Sequence, residues 1–279
     1  MQIFLKITII GLLIIVYSCT APKVLDTHKL TAESQSPSAI YQKSIEKVVL
    51  IAPISQQSIG TGVIIDKNGT ILTNWHIVGD NKLVWVAFNN PNAITKEDYK
   101  STDWKIGEVV AIDPTRDLAL INIDFIEAEP FEFGKANELR IGQEVYSISH
   151  PQGQIFSFTK GLISKLPDKL EMLYHTEKSE GQTNIITRAA LFFGLQDTAK
   201  YSIDQKIVAN AIQLQFPKNE GSSGGPIIDS RGHLIGINST AKRFGESLSF
   251  AIRIDEIIEF LDFNPSNKDI EMLEKYIDE

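Results

Sequence analysis

Short apolar runs separated by turn signals occupy most of the chain. In "IGTGVIIDKNGTILTNWHIV", two apolar runs flank a polar turn, and the pair Asn68-Gly69 favours a hairpin because both residue types tolerate positive φ. Such a series of short strands predicts an antiparallel barrel or sandwich. Further strand candidates follow at residues 83–88, 108–113, 118–123, 144–148, 158–165, 211–216, 225–229, 233–238 and 247–252.

Helical periodicity is expected only at the two ends of this series. The segment "AIYQKSIEKVVLIAP" predicts a short amphipathic helix that leads into a first strand. After Asp255, the apolar residues of "RIDEIIEFLDF" have helical spacing and predict a closing helix. We therefore expect a domain over residues 39–264, followed by a polar, acidic tail at 265–279.

One stretch does not fit the series of strands. Residues 167–208 are too many for an ordinary connection between strands. They predict a functional insertion, such as a lid or part of a substrate groove, or a surface excursion that packs on the barrel.

The first residues have the pattern of a secretory signal, with Lys6 preceding an apolar run that is too short to span a bilayer. Ser18 directly before Cys19 resembles the lipobox of bacterial lipoproteins. That resemblance implies removal of residues 1–18, acylation of Cys19 and a lipid-anchored protein of the bacterial cell envelope, with ordinary secretion as the alternative. Residues 19–38 are polar and predict a flexible tether.

Composition limits how the domain is stabilised and what it binds. Cys19 is the only cysteine, so an acylated Cys19 leaves none for a disulfide. With 43% hydrophobic and 22% charged residues, the chain can build a sizeable apolar core instead. The net charge of -8 argues against a nucleic-acid partner and provides no basic patch for lipids.

Candidate chemistry centres on the serine of "NEGSSGGPIIDS". A serine hydroxyl needs an imidazole to take its proton and a carboxylate to orient that imidazole. His76 after one apolar strand and Asp117 before another provide these groups. Asp113 is the competing carboxylate, but it precedes Pro114 and suits a turn. The amides of Gly221 and Ser223 are candidates for an oxyanion hole.

The motifs "TNWHIV", "DPTRDLAL" and "GSSGGP", in this order, resemble those of chymotrypsin-fold serine proteases, and the high-temperature-requirement (HtrA) branch is the nearest. The resemblance covers roughly residues 45–260. It implies an all-β fold of two six-stranded antiparallel barrels with a site between them. It further implies that His76 is the general base, Asp117 orients it, Ser223 is the nucleophile, and no cofactor or metal is needed.

Several positions depart from the family pattern. Pro217, six residues before the serine, and Asn238 are assigned to the specificity pocket, and the lack of an acid at 217 predicts a small or aliphatic P1 side chain. Gln215 replaces the usual aspartate. Ser222 cannot form the ion pair that switches on zymogens, so we expect no activation by trimming. Only 19 residues follow Phe260, so we expect no PDZ domain.

These features together predict a membrane-tethered endopeptidase that cuts extended segments of protein substrates. A catalytically silent peptide-binding module on the same fold is the alternative, and an esterase is a third. Whether the chain forms a homo-oligomer is left open. The remaining histidines are interpreted as structural or surface residues: His28, His150, His175 and His233.

Overall fold

The computed structural model describes residues 34–54, 59–124, 129–176, 203–216, 221–239 and 249–263. Cys19, Pro217, the 1–18 signal and the 265–279 tail lie outside these residues, as does most of the predicted 19–38 tether. No helix in the described ranges is long and apolar enough to cross a membrane.

The first half of the domain is a closed antiparallel barrel with the strand order β1-β2-β3-β6-β5-β4. Pairing of β1 with β4 closes it. Its strands are β1 (Val48–Pro53), β2 (Gly60–Ile64), β3 (Thr70–Thr73), β4 (Leu83–Phe88), β5 (Trp104–Asp113) and β6 (Leu118–Asn122).

The second half is another closed six-stranded barrel, in the order β11-β14-β13-β12-β7-β8. A two-stranded ribbon of β9 (Leu170–Thr176) and β10 (Ile203–Ala209) precedes β11 in the chain. The barrel strands are β7 (Glu144–Ser149), β8 (Ser157–Lys165), β11 (Ala211–Leu214), β12 (Pro226–Ile228), β13 (Leu234–Ser239) and β14 (Ser249–Arg253). The all-β fold of two six-stranded barrels is therefore confirmed.

Both predicted helices are present. Helix α1 (Pro37–Ser44) begins at a proline after Ser36, whose hydroxyl accepts the N–H of Ala39 at 3.2 Å. Helix α1 thus starts inside the 19–38 segment that was expected to be a tether. The Ser36 cap and the hydrogen bonds from Gln35 to the carbonyls of residues 230 and 231 order this part of the chain. A one-turn helix α2 (Trp75–Val78) follows β3, and α3 (Ile254–Phe263) closes the domain.

The sequence of strand β1 is a continuous apolar run because both of its faces are buried. Val49 and Ile51 point into the interior of the first barrel, whereas Val48 and Leu50 belong to a different buried cluster that includes residues of the second barrel. Because successive side chains on a strand alternate, both faces of β1 are buried. The apolar layer shared by the barrels fixes where their loops meet.

The predicted hairpin joins β2 to β3. Only Gly69 of the Asn68-Gly69 pair has positive φ, at 89°. The carboxylate of Asp66 accepts the backbone N–H groups of Asn68 and Thr70, at 2.8 and 3.0 Å. The turn is therefore longer than the two-residue form that the dipeptide suggests, because an aspartate side chain organises it.

Candidate active site

His76 and Asp117 form a buried pair in the first barrel. The imidazole Nδ1 lies 2.8 Å from Asp117 Oδ2 and 2.9 Å from Oδ1, and the two side chains are 6% and 1% exposed. The backbone N–H of His76 donates to Oδ1 as well, at 2.9 Å. A carboxylate in this position selects the tautomer with the proton on Nδ1, so Nε2 is the basic nitrogen of the neutral ring.

The turn between β5 and β6 presents Asp117 in an unusual backbone conformation. Its φ is 60°, in the left-handed region that aspartate tolerates better than most residues. Its carbonyl accepts the N–H of Trp75 at 3.2 Å and the Asn74 side-chain amide at 3.0 Å. These contacts fix the backbone of Asp117, and the backbone N–H and the ring of His76 hold its carboxylate.

Asp113 has a different partner. Its carboxylate accepts the backbone N–H of Arg116 at 3.0 Å and pairs with the Arg116 guanidinium at 2.7 Å. The structure thus brings Asp117, and not the competing Asp113, to the histidine. The distinction rests on a segment of five residues, 113–117, in which Asp113 stabilises the turn and Asp117 faces the imidazole.

Ser223 occupies the corner of a tight turn in the second barrel. The N–H of Gly225 donates to the Ser222 carbonyl at 3.2 Å, and Gly224 between them has a φ of 79°. This is the pattern of a type II turn, which needs glycine at its third position. A side chain at 224 would also meet the Thr61 carbonyl at 1.9 Å, so the position has no room for one.

Thr61 of β2 joins the serine turn to the first barrel. Its N–H donates to the Ser223 carbonyl at 2.9 Å, and its hydroxyl donates to the Gly221 carbonyl at 3.0 Å. The Thr61 carbonyl in turn accepts the hydroxyl of Thr73, three residues before His76, at 2.7 Å. One hydrogen-bonded chain therefore runs from the serine turn to the segment that carries the histidine.

Ser239 makes a second connection between the barrels. This β13 residue donates its hydroxyl to Asp117 Oδ2 at 3.1 Å and is 1% exposed. The carboxylate thus accepts hydrogen bonds from His76 and from Ser239. Sequence reasoning missed Ser239, and the only signal for it is a serine at the end of the strand in "LIGINS".

The candidate oxyanion-hole residues lie in this same loop. Gly221 has a φ of 87°, and a Cβ there would meet the His150 carbonyl at 2.1 Å. Its own carbonyl accepts the N–H of His150 at 3.3 Å in addition to the Thr61 hydroxyl. Glycine is therefore required at 221 by conformation and by space, which keeps the backbone next to Ser223 in one arrangement.

His150, which the sequence analysis interprets as a structural or surface residue, is structural. It is fully buried, and the ring bridges the barrels: Nε2 donates to the Val49 carbonyl of β1 at 3.2 Å, while Nδ1 accepts the N–H of Phe156 at 2.9 Å. Burial lowers the pKa of His150 to about 4. It is a neutral structural histidine beside the candidate oxyanion-hole loop.

Of the two residues predicted to form the specificity pocket, the structure describes only Asn238. Pro217 lies outside the described residues. Asn238 is 6% exposed, and its side-chain amide donates to the Ser222 carbonyl at 3.2 Å, behind the serine turn. Gln215 donates its backbone N–H to the Leu162 carbonyl at 2.9 Å.

In the described part of the chain, no group of three or more acidic, histidine or cysteine residues is placed to hold a metal.

A histidine–aspartate pair and a glycine-bounded serine turn at the junction of two antiparallel barrels are typical of chymotrypsin-fold serine proteases. Residues 60–237 match the family described as "Trypsin-like peptidase domain". The chain belongs to this family, and the matched residues include His76, Asp117 and Ser223.

Known relatives place the chain near the HtrA and Deg proteases. It is 32% identical over 208 residues to "Protease Do-like 5, chloroplastic" of Arabidopsis thaliana, which covers 71% of this chain and 54% of the relative. A "Probable periplasmic serine endoprotease DegP-like" of Pseudomonas putida is 28% identical over 206 residues, covering 73% and 34%. The chain thus spans about half, or less, of the length of these relatives.

A solved structure has the same fold. The structure titled "Crystal structure of Deg5" superposes with a TM-score of 0.53 at 26% sequence identity, covering 80% of this chain and 90% of that one. The expected resemblance to the HtrA type of trypsin-like protease is therefore confirmed.

Proposed function

We propose that the protein is a serine endopeptidase in which Ser223 is the nucleophile, His76 the general base and Asp117 the residue that orients it. The observation that carries this proposal is the buried His76–Asp117 pair, tied by hydrogen bonds through Thr61 and Ser239 to the loop and strand that surround Ser223. Membership of a peptidase family supports it.

The proposed reaction passes through an acyl-enzyme. Ser223 Oγ attacks the peptide carbonyl carbon while its proton moves to His76 Nε2. The C–N bond then breaks, and His76 returns that proton to the leaving amine. His76 next takes a proton from water, whose oxygen attacks the ester carbon. The bond from that carbon to Ser223 Oγ breaks, and His76 gives the proton to Oγ as the acid leaves. Asp117 stays ionised and stabilises the imidazolium that forms twice in the cycle.

The charge on the substrate oxygen has its own proposed site. The backbone N–H groups of Gly221 and Ser223 would donate to it in the tetrahedral intermediate. Because the surrounding carbonyls of residues 221, 222 and 223 are each held by hydrogen bonds, the loop needs little reorganisation during the reaction. Each such donor contributes about 10²- to 10³-fold in rate.

The proposed substrates are extended segments of proteins of the cell envelope. A site bordered by strands binds an extended chain by backbone pairing. A periplasmic relative agrees with that compartment. With Pro217 at the expected base of the pocket, we propose a small or aliphatic P1 residue, and we propose no metal or cofactor in the reaction.

Labelling with a fluorophosphonate probe tests the enzyme assignment. We expect the parent protein to react and Ser223→Ala to be inert. Ser147→Ala is the matched control, because it removes a buried serine hydroxyl that has no partner among the described residues. A folded parent that the probe does not label would contradict the proposal and favour the silent peptide-binding module.

We also propose that Cys19 carries a lipid anchor after removal of residues 1–18. Two acyl chains hold a protein on a membrane durably, since each buried methylene contributes about 0.8 kcal/mol. Metabolic labelling with a palmitate analogue should mark the parent and not Cys19→Ala. Equal labelling of both proteins would show that acylation at this cysteine does not occur.

A further inference from the structure

We propose that Asn238 is a positioning residue for the oxyanion hole: its side chain orients the backbone N–H of Ser223. This inference rests on the proposed peptidase function. It gives Asn238 a role different from the specificity pocket to which the sequence assigned it.

Asn238 holds the serine turn through three separate groups. Its backbone N–H donates to the Gly225 carbonyl at 2.8 Å, and its carbonyl accepts the N–H of Gly224 at 2.8 Å. Its side-chain Nδ2 donates to the Ser222 carbonyl at 3.2 Å. The first two bonds are strand pairing that any residue can make. Only the third depends on the asparagine side chain.

The Ser222 carbonyl and the Ser223 N–H belong to one peptide group. This group is trans, because the described chain contains no cis peptide bond. In a planar trans peptide the C=O and N–H bonds point in opposite directions, so fixing one fixes the other. Asn238 Nδ2 and the Gly225 N–H both hold the Ser222 oxygen, and together they set where the Ser223 N–H points.

The identity of the contacting atom follows from the same geometry. If the amide were turned over, its oxygen would lie 3.2 Å from another carbonyl oxygen, and two acceptors repel each other. In the arrangement seen, Oδ1 is buried and has no partner among the described residues. An unpaired buried acceptor lowers stability. The Asn238 side chain therefore orients the serine turn through Nδ2, while its unpaired Oδ1 lowers the stability of the barrel.

The neighbouring residue completes the argument. Ser239, next in β13, donates to Asp117 Oδ2 at 3.1 Å. Two consecutive residues of one strand thus hold both the peptide that carries the oxyanion donor and the carboxylate that orients His76. A change in this strand would move both, whereas loss of the Asn238 amide alone affects only the serine turn.

The decisive variant is Asn238→Leu, which keeps a similar volume and removes the donor. We expect kcat/KM to fall by about 10- to 100-fold, less than the complete loss of one oxyanion donor. The loss should appear in kcat and be the same for peptides that differ only at P1, with an unchanged pH profile. Asn238→Gln, which keeps an amide donor, should recover part of the rate and serves if Asn238→Leu fails to fold.

An NMR measurement that does not depend on activity separates the proposed role of Asn238 from the proposed peptidase function. In protein labelled with ¹⁵N-serine, the Ser223 amide signal is identified by its absence in Ser223→Ala. We expect it to shift and to exchange at least about 10-fold faster in Asn238→Leu, since one of the bonds holding its peptide is gone. Asn210→Leu, which removes a side-chain amide bonded to Asp255 at 2.9 Å, is the control.

Each outcome is decisive. An unchanged Ser223 signal in Asn238→Leu would overturn the proposal, whether or not the protein is a peptidase. A changed order of preference among P1 side chains, with kcat retained, would assign Asn238 to the specificity pocket instead. A parent protein that is inert to fluorophosphonate would remove the proposed function while leaving the amide measurement as a test of the contact.

Discussion

At the junction of the two barrels, neighbouring groups determine the backbone conformation of Asp117 and the protonation state of His150. Asp117 keeps a left-handed backbone because its carbonyl and carboxylate are both occupied. Burial keeps the His150 ring neutral, and because Nδ1 accepts the Phe156 N–H, an added proton there would also face a donor. Desolvation lowers the pKa of His150 to about 4.

His150 predicts a dependence of stability on pH. Between pH 6.5 and about 4 the unfolded chain binds a proton at this residue that the folded chain does not, so the free energy of unfolding falls as the pH falls through that window. From pH 6.5 to 5 the expected loss is about 2 kcal/mol. Urea unfolding of the parent and of His150→Gln across this range measures it.

His150→Gln is the reference for the pH dependence of the parent, because all other titrating groups are common to both proteins. The parent should lose more stability than His150→Gln on acidification, even if the variant is less stable at pH 7. Parallel stability curves for the two proteins would show that the ring of His150 is not held neutral.

At the level of elements, one arginine connects the β5–β6 turn to α3. The Arg116 guanidinium pairs with Asp113 at 2.7 Å, Glu256 at 2.7 Å and Glu259 at 2.9 Å. Hydrogen bonds to Asp113 and Glu256 raise the pKa of Arg116 further above its usual value. Because Arg116 directly precedes Asp117, this network also helps to place the carboxylate that faces His76.

Arg116→Gln should loosen this connection. Glu256 is 8% exposed and would lose its cation, so we expect a loss of about 1 to 3 kcal/mol in the free energy of unfolding, measured with urea. Lys67→Gln is the control, since the Lys67–Glu129 pair is more than 70% exposed on both sides. That change should cost less than about 0.5 kcal/mol. Equal effects of the two changes would contradict the structural role of Arg116.

At the scale of the whole molecule, the two barrels meet backbone to backbone at the serine turn. Gly224 lies so close to Thr61 that a Cβ would come within 1.9 Å of its carbonyl oxygen and 2.6 Å of Thr73 Oγ1. The same contact brings the Thr61 N–H to the Ser223 carbonyl. Close packing here determines the distance between the elements that carry the candidate catalytic groups.

Gly224→Ala should therefore separate these elements. Gly142→Ala is the matched control: its φ of 84° is close to the 79° of Gly224, but nothing lies within 4 Å of the added Cβ. We expect a loss of about 1 to 2 kcal/mol at 142, from backbone conformation alone. At 224 the clash should raise the loss to about 2 to 5 kcal/mol and abolish probe labelling. Similar stabilities and similar labelling of the two variants would show that the barrels do not abut at this turn.

Local patterns in the sequence were sufficient for much of the fold. Strand β4 coincides with the predicted 83–88, and the closing helix and the hairpin at Gly69 are where the periodicity and turn chemistry put them. Strand β5 begins earlier than predicted, at Trp104. Ile106 in this first part is 55% exposed, so its apolar side chain does not mark a buried strand face. These features depend on residues a few positions apart, so a linear sequence contains them.

The sequence by itself determined most of the barrel strands, their antiparallel arrangement into a barrel or sandwich and, through three motifs, the family, but it did not predict the ribbon of β9 and β10. The sequence also favoured Asp117 over Asp113 as the partner of His76, which the contacts agree with. Only the tertiary structure decided that Ser239, Thr61 and Asn238 surround the site. The Ser239–Asp117 and Thr61–Gly221 bonds join residues 122 and 160 positions apart. No local propensity encodes such contacts, since they form only when the closed barrels pack together and bury these polar groups against each other.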